Sequence, residues 1–217
     1  MGHKPIYWQY FGLSASAYRE KIRLYEDNPD EIAELEFDDR IEIDIDYLFC
    51  LFEIGRYDRY ISKSDPAIEW VIEENIYKMR GINIFEELIF RKAACYYQLH
   101  QYTKASDLLK QLIRMNNENP YFIGLYTICV RKLHNDIYLS IKAMAIACFM
   151  IVLGITLARI FIEPLFQHYF APFIVLRTAL FLGGILLLAG MEVYFQYRIY
   201  KETRMFSYQV LNKIFGI

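Results

Sequence analysis

The side chains that could carry catalysis or bind a metal ion are scattered along this chain. The four histidines are His3, His100, His134 and His168. None of them lies at the spacing of zinc ligands from another, and the chain has no G-x-S-x-G, P-loop or H-E-x-x-H motif. The sequence therefore predicts no catalytic residue, no metal site and no cofactor.

The densest set of ionisable side chains is acidic. Between Glu26 and Asp46 the chain has eleven acids and one arginine. Residues 38–46 lack the glycine and the terminal glutamate of a calcium loop, so we interpret them as a solvated acidic face that leads into a helix. The alternation of residues 40–46 is also compatible with a short strand. The apolar run that follows at 47–54 favours the helix.

The four cysteines are far apart and form no Cys-x-x-Cys pair. This spacing favours reduced thiols on the cytoplasmic side over a disulfide framework. They are Cys50, Cys95, Cys129 and Cys148, and the last falls in a hydrophobic stretch.

Two long hydrophobic stretches determine where the rest of the chain can lie. Residues 143–158 and 178–191 contain no charged side chain. A helix of about 20 residues spans the roughly 30 Å hydrocarbon core, and backbone groups in lipid must bond within the helix. The sequence predicts a transmembrane hairpin with spans at about 140–162 and 172–195. The alternative is a hydrophobic hairpin that is buried in an oligomer.

Charge asymmetry predicts the orientation of this hairpin. Residues 1–136 hold 17 basic and 23 acidic side chains (net −6), and residues 137–217 hold 7 and 3 (net +4). Lysines and arginines precede the first span and follow the second, whereas the link between the two spans, at 163–172, has none. By the positive-inside rule both termini are cytoplasmic, at the inner (plasma) membrane. The acidic N-terminal part argues against nucleic-acid binding.

Charged side chains near or inside the spans are functional candidates by default. They are Lys142, Arg159, Arg177 and Glu192. In an antiparallel hairpin Lys142 and Glu192 lie at the same depth and can pair, and Arg159 with Glu163 forms a second set that Arg177 can join. The alternative is that all of them reach towards the membrane interface.

Glycines in the spans favour close approach of the two helices. The candidates are Gly154, Gly183, Gly184 and Gly190.

The N-terminal part is predicted to be helical. Tyr18, Ile22 and Tyr25 share one face of a helix from about Ser16, which ends at residues 28–29. Asp30 caps a short helix. Further on, residues 64–66 predict an N-cap followed by proline at the first helical position, with a helix over 66–79. A last amphipathic helix covers 121–133.

Two segments of this part are similar to each other. Residues 49–57 (FCLFEIGRY) align with 94–102 (ACYYQLHQY) at an offset of 45. The pattern resembles the tetratricopeptide repeat (TPR), a helix–turn–helix unit of about 34 residues. The better copy is 86–119, where Tyr96 matches the central aromatic residue and Ala105 the small residue of the second helix.

The first copy departs from that family in two ways. Tyr60 stands where the small residue belongs, and the copy is about 11 residues longer than the family period, a difference that we assign to the region of Ser64 and Pro66. In the second copy His100 replaces the usual turn glycine.

Together these patterns predict an all-α protein with a cytoplasmic TPR-like domain (1–136), a transmembrane hairpin (137–198) and a basic cytoplasmic tail (199–217). The leading hypothesis is a membrane-anchored scaffold that binds a protein or peptide, with Tyr57, Tyr97 and Tyr102 at the partner surface. The alternative is a homo-oligomeric effector of the toxin or anti-phage type, whose hairpins form a pore or disrupt the bilayer. On either hypothesis the sequence predicts that the protein is not an enzyme.

Overall fold

The computed structural model describes residues 5–76, 78–79, 81–162 and 171–208. The chain is mostly helical, which confirms the all-α prediction. It forms two compact units, Met1–Tyr126 and Thr127–Ile217. In chain order the described elements are α1 Pro5–Gly12, α2 Tyr18–Asp27, α3 Pro29–Ala33, α4 Phe37–Glu53, α5 Tyr57–Glu73, β1 Lys78–Met79, β2 Ile82–Asn83, α6 Ile84–Gln98, α7 Tyr102–Met115, α8 Pro120–Leu133, α9 Asn135–Ile162 and α10 Ala171–Thr203.

Helix α4 lies at the centre of the first unit. Ile41, Ile43 and Ile45 are all buried, although they alternate in sequence. Such alternation is typical of a strand, but here it occurs in a helix because other helices pack against α4 on more than one side. Ile43 packs in a cluster with α1 and α3, whereas Ile41 and Ile45 pack in a second cluster with α2, α5 and α6. Burial on two faces therefore explains the pattern.

The interpretation of residues 38–46 as a solvated acidic face is wrong for its second half. The hydroxyl of Tyr25 donates a hydrogen bond of 2.7 Å to Asp44, and Lys21 Nζ lies 2.8 Å from Asp46 Oδ2. Burial raises the pKa of the Asp44 carboxyl, against the lowering effect of the Tyr25 hydrogen bond. These acids are partnered because α2 packs directly on α4.

Two helical hairpins, α4–α5 and α6–α7, have the same turn. Gly55 and His100, which are related by the offset of 45, have φ angles of 78° and 60°. In each turn the next amide reaches back across the helix end: Arg56 N–H donates to Leu51 O at 2.9 Å, and Gln101 N–H donates to Tyr96 O at 2.8 Å. This is the pattern of a Schellman C-cap. The similarity in sequence thus corresponds to a similarity in backbone geometry.

The residues after each turn fill the core differently. Ala105 and Tyr60, which occupy equivalent positions, are both fully buried. The larger side chain in the first hairpin is accommodated with its hydroxyl satisfied, because Tyr60 donates a 3.0 Å hydrogen bond to Leu88 O. Leu109 and Leu112 continue the buried face of α7.

The predicted helix start at Pro66 is wrong. Pro66 lies inside α5, which runs without interruption from residue 57 to residue 73. The buried residues of α5, Tyr60, Ser64, Ala67 and Val71, follow a helical spacing across the proline. Packing of this face outweighs the one backbone hydrogen bond that proline removes.

The additional length of the first hairpin also differs from the prediction. It lies largely after α5, where β1 and β2 pair antiparallel with Lys78 opposite Asn83. Two smaller differences from the prediction occur near the N-terminus. Helix α1 was not predicted, and α3 begins at Pro29 rather than after Asp30.

The second unit contains the two hydrophobic stretches. Helices α9 and α10 pack against each other, and each is long and apolar enough to cross a membrane. Only 6% of the most hydrophobic window of each helix is buried, so both present apolar surface outward. One residue, His134, separates α9 from α8. The link at 163–170, with Glu163 and His168, lies outside the described residues, as does His3.

Candidate functional site

Glu192, the acidic candidate of the spans, has three polar contacts near the end of α10. Arg131 Nη2 lies 2.7 Å from Glu192 Oε1. The side-chain amide of Gln196 and the hydroxyl of Tyr208 donate to the same oxygen at 3.1 Å each. The carboxylate is therefore held by a cation from α8 and by donors from α10 and the segment after it.

The predicted pair of Lys142 and Glu192 is wrong. Contacts between Tyr138 and Phe195 and between Phe149 and Gly184 fix the register of α9 against α10. This register places Lys142 level with Met191, and Glu192 is turned about 100° around the helix. Lys142 is exposed and lies 5.9 Å from the centroid of the Tyr138 ring.

Further polar contacts extend this arrangement. Ser207 N–H donates to the Gln196 side chain at 3.1 Å, and Thr127 donates to the Ser207 hydroxyl at 3.0 Å. Arg198 Nη1 lies 2.6 Å from His134 Nε2, and His134 Nδ1 lies 3.0 Å from Val130 O. Because arginine only donates, His134 accepts from Arg198 and donates to the carbonyl.

We call this set the basal network: Thr127, Arg131, His134, Glu192, Gln196, Arg198, Ser207 and Tyr208. Reasoning from the sequence missed it, since its arginines were assigned to membrane orientation alone. The signal that could have identified it is the position of Gln196, one helical turn after Glu192 and on the same face.

The middle of the hairpin contains no corresponding polar group. Between Lys142 and Arg159, and between Arg177 and Glu192, the described helices have no charged or amide side chain. The two threonines in these stretches bond to their own helices, Thr156 to Val152 O and Thr178 to Ile174 O. Apart from these two hydroxyls, the side chains in this part of the described hairpin are apolar.

The other two charged candidates lie towards the opposite end of the hairpin. Arg159 is near the C-terminus of α9 and Arg177 is in the second turn of α10, and both are half-buried. The pairing predicted for Arg159 with Glu163 involves a residue outside the described part of the chain.

Of the four glycine candidates, Gly184 lies at the contact between the helices. A Cβ atom at Gly184 would lie 2.9 Å from Cε1 of Phe149. At Gly154, Gly183 and Gly190 a Cβ atom would meet nothing within 4 Å. Gly184 therefore allows the Phe149 ring to rest on the backbone of α10.

We expect Gly184→Leu to destabilise the hairpin by about 1–3 kcal/mol, the usual cost of inserting atoms into a packed contact. Gly183→Leu is the matched control, because it gives the same gain in helix propensity and apolar surface one position along the helix. Thermal denaturation of the full chain in detergent, followed by circular dichroism, measures the difference. Equal melting temperatures for the two variants would contradict the proposed packing.

The three tyrosines predicted at a partner surface lie at the turns of the first unit. Tyr57 packs on Phe52 at a centroid distance of 5.9 Å, and Tyr102 packs on Tyr97 at 5.6 Å. The two pairs are related by the offset of 45. All three tyrosines are half-buried, so part of each ring contributes to the turn itself.

An apolar groove of about 260 Å³ lies elsewhere in the first unit, where α5 ends and α6 begins. Val71 and Phe85 line it, and Ile72 and Met115 form an exposed rim, at 58% and 59% exposure. The groove was missed because its walls come from segments that are far apart in the chain.

The described residues do not group three His, Cys, Asp or Glu side chains in a way that could hold a metal ion. Burial raises the pKa of the Cys50 and Cys95 thiols to about 12 each. At neutral pH both are protonated, and a protonated thiol is a poor nucleophile. Their role is therefore in packing.

The chain was compared with known protein families, curated proteins and solved structures, and none of the three comparisons gives a match.

Proposed function

We propose that this protein is a membrane-anchored interaction module, in which the hairpin crosses the membrane and the first unit binds a protein or peptide partner. The observation that carries the proposal is the apolar middle of the hairpin. Both helices present apolar side chains outward there, and the hydroxyls of Thr156 and Thr178 donate to the backbone of their own helices. Such a surface suits a lipid environment and favours anchoring over conduction.

The first unit supports the binding role. Its two hairpins have matching turns and equivalent buried positions, in keeping with a TPR-like pair of repeats, and helical repeats commonly bind peptides on an extended surface. The apolar groove offers a place for a partner's apolar side chain, since Ile72 and Met115 are exposed at its rim. Large apolar side chains clustered at a groove are typical of interaction sites.

The orientation belongs to the same proposal. Arg131 and Lys132 precede α9. Arg198 and Lys201 lie in the last turns of α10, and Arg204 follows its end. Their positive charge favours a cytoplasmic position for this end of the hairpin and for both termini at the inner membrane.

Proximity labelling with the full-length chain in its native membrane tests the proposal. The wild type, an Ile72→Asp/Met115→Asp variant and a Tyr121→Asp control are compared at equal membrane abundance. Tyr121 is a suitable control because it is exposed and is not part of the groove lining. We expect a defined set of labelled proteins to be lost from the groove variant and retained in the control.

An identical set of labelled proteins for all three chains would contradict the proposal. Collapse of the membrane potential on expression, relieved by Arg177→Leu or Glu192→Leu, would favour a pore-forming effector instead.

A further inference from the structure

A second cavity in the first unit differs from the groove in its chemistry. It has a volume of about 200 Å³ and lies between α2, α4 and α5. This is below the roughly 300–1,000 Å³ of pockets for drug-sized ligands. The size favours a small molecule with one or two rings.

Aromatic side chains form much of its wall. Tyr25 and Tyr47 stack with their centroids 3.9 Å apart and their planes 11° apart. Both hydroxyls are already bonded, Tyr25 to Asp44 and Tyr47 to Glu26. What remains for a ligand is ring surface, and Trp70 adds a third aromatic side chain to the lining.

Two cations line the same cavity from different helices. The Arg40 guanidinium of α4 lies 5.4 Å from the centroid of the Trp70 ring, and its Nε is 3.8 Å from Asp44 Oδ2. This distance is too long for a hydrogen bond. Lys63 of α5 is exposed, and within the described chain it makes no ion pair closer than 4 Å. Both side chains keep their donors available.

With Asp44 ionised, the charges that line the cavity sum to one positive unit. Arg40 and Lys63 contribute two positive charges, and Asp44 contributes at most one negative charge. Burial raises the pKa of Asp44. A dianion would meet repulsion from that carboxylate, whereas a monoanion matches the excess.

We propose that this cavity binds a small aromatic carboxylate. The carboxylate lies between Arg40 and Lys63, where arginine can donate two parallel hydrogen bonds, and the ring packs on Tyr25, Tyr47 and Trp70. The proposal is independent of the interaction role, since it uses neither the groove nor the hairpin.

Calorimetric titration of the full-length protein in detergent tests the site with three probes. Indole-3-acetate supplies the ring and a monoanion, indole-3-acetamide is its neutral equivalent, and phenyl phosphate carries more negative charge on an aromatic body. We expect saturable binding of the acid, and affinities lower by about tenfold for the amide and the phosphate, the ratio that corresponds to 1.4 kcal/mol.

The variants Arg40→Gln and Lys63→Gln should each weaken binding of the acid by about fivefold or more, the scale of one lost charge-assisted contact. Lys104→Gln is the matched control, since this exposed lysine also lies over a tyrosine ring, that of Tyr96, but outside the cavity. Melting temperatures verify that all three variants fold.

Three results would overturn the proposal. The first is the absence of saturable binding of the acid up to about 5 mM, which corresponds to a binding free energy weaker than roughly −3 kcal/mol. The second is equal affinity for the acid and the amide. The third is unchanged affinity for the acid in both pocket variants.

Discussion

A chain with arginine in place of both Ile151 and Leu186 should fail to enter the membrane fraction. The two side chains are 51% and 70% exposed and lie within the uncharged stretches of α9 and α10. Arginine at the centre of a transmembrane helix costs about 2.5–3.5 kcal/mol, so the pair should cost about 5–7 kcal/mol. Membrane flotation followed by alkaline carbonate extraction measures the loss.

The control places the same two arginines on the first unit, at Met115 and Tyr121, which are also exposed apolar residues. Total charge is then equal in the two variants, and only the position differs. If the Ile151→Arg/Leu186→Arg chain stayed in the carbonate-resistant membrane fraction at the wild-type level, α9 and α10 would not be the segments that contact lipid.

The second large effect is expected for Lys21→Met in the first unit. Lys21 is 5% exposed, and its ammonium group lies 2.8 Å from Asp46 Oδ2 and over the rings of Tyr10 and Phe11. Removing this cation leaves the Asp46 carboxylate beside the Cys50 thiol, which is 3.7 Å away. Breaking a buried ion pair costs about 3–5 kcal/mol, and the lower figure applies because Asp46 retains 21% exposure.

Chemical denaturation of the full-length protein, followed through the helical signal of circular dichroism, measures this change. The double variant Lys21→Met/Asp46→Leu should recover much of the loss, because it removes the uncompensated charge as well. Arg23→Met is the surface comparison. It breaks the exposed pair with Asp27 and should change stability by less than about 1 kcal/mol. Equal losses for Lys21→Met and Arg23→Met would show that burial of the pair is unimportant.

The features that could be predicted from the sequence are those carried by local patterns. The hairpin helices follow from uninterrupted apolar composition, and the two similar turns follow from an alignment at one fixed offset. The helical state of residues 40–46 was also predicted correctly, although for an incomplete reason. The apolar run after them favoured a helix, whereas the structure explains their alternation through burial on two faces of α4.

The features that were missed depend on residues that are distant in sequence. Lys21 and Asp46 are 25 positions apart, and Arg131 and Glu192 are 61 apart. Neither pair has a spacing that a local pattern would identify. The prediction of a helix start at Pro66 was wrong for a different reason. Its local preference for a helix start was real, but the buried face of α5 continues through it, and tertiary packing outweighs a single backbone preference.

If the hairpin crosses the membrane as proposed, the lengths of its helices have a consequence for the bilayer around them. The uncharged parts of α9 and α10 contain 16 and 14 residues, or about 24 and 21 Å of helix at 1.5 Å per residue. Both are shorter than the roughly 30 Å hydrocarbon thickness of an average membrane. A helix pair of this length is matched by a thinner bilayer, and in a thicker one the lipid must compress locally or the flanking charges must extend to the headgroups. In the proposed transmembrane arrangement, the hairpin would therefore prefer a bilayer thickness that is set by the separation of its charges.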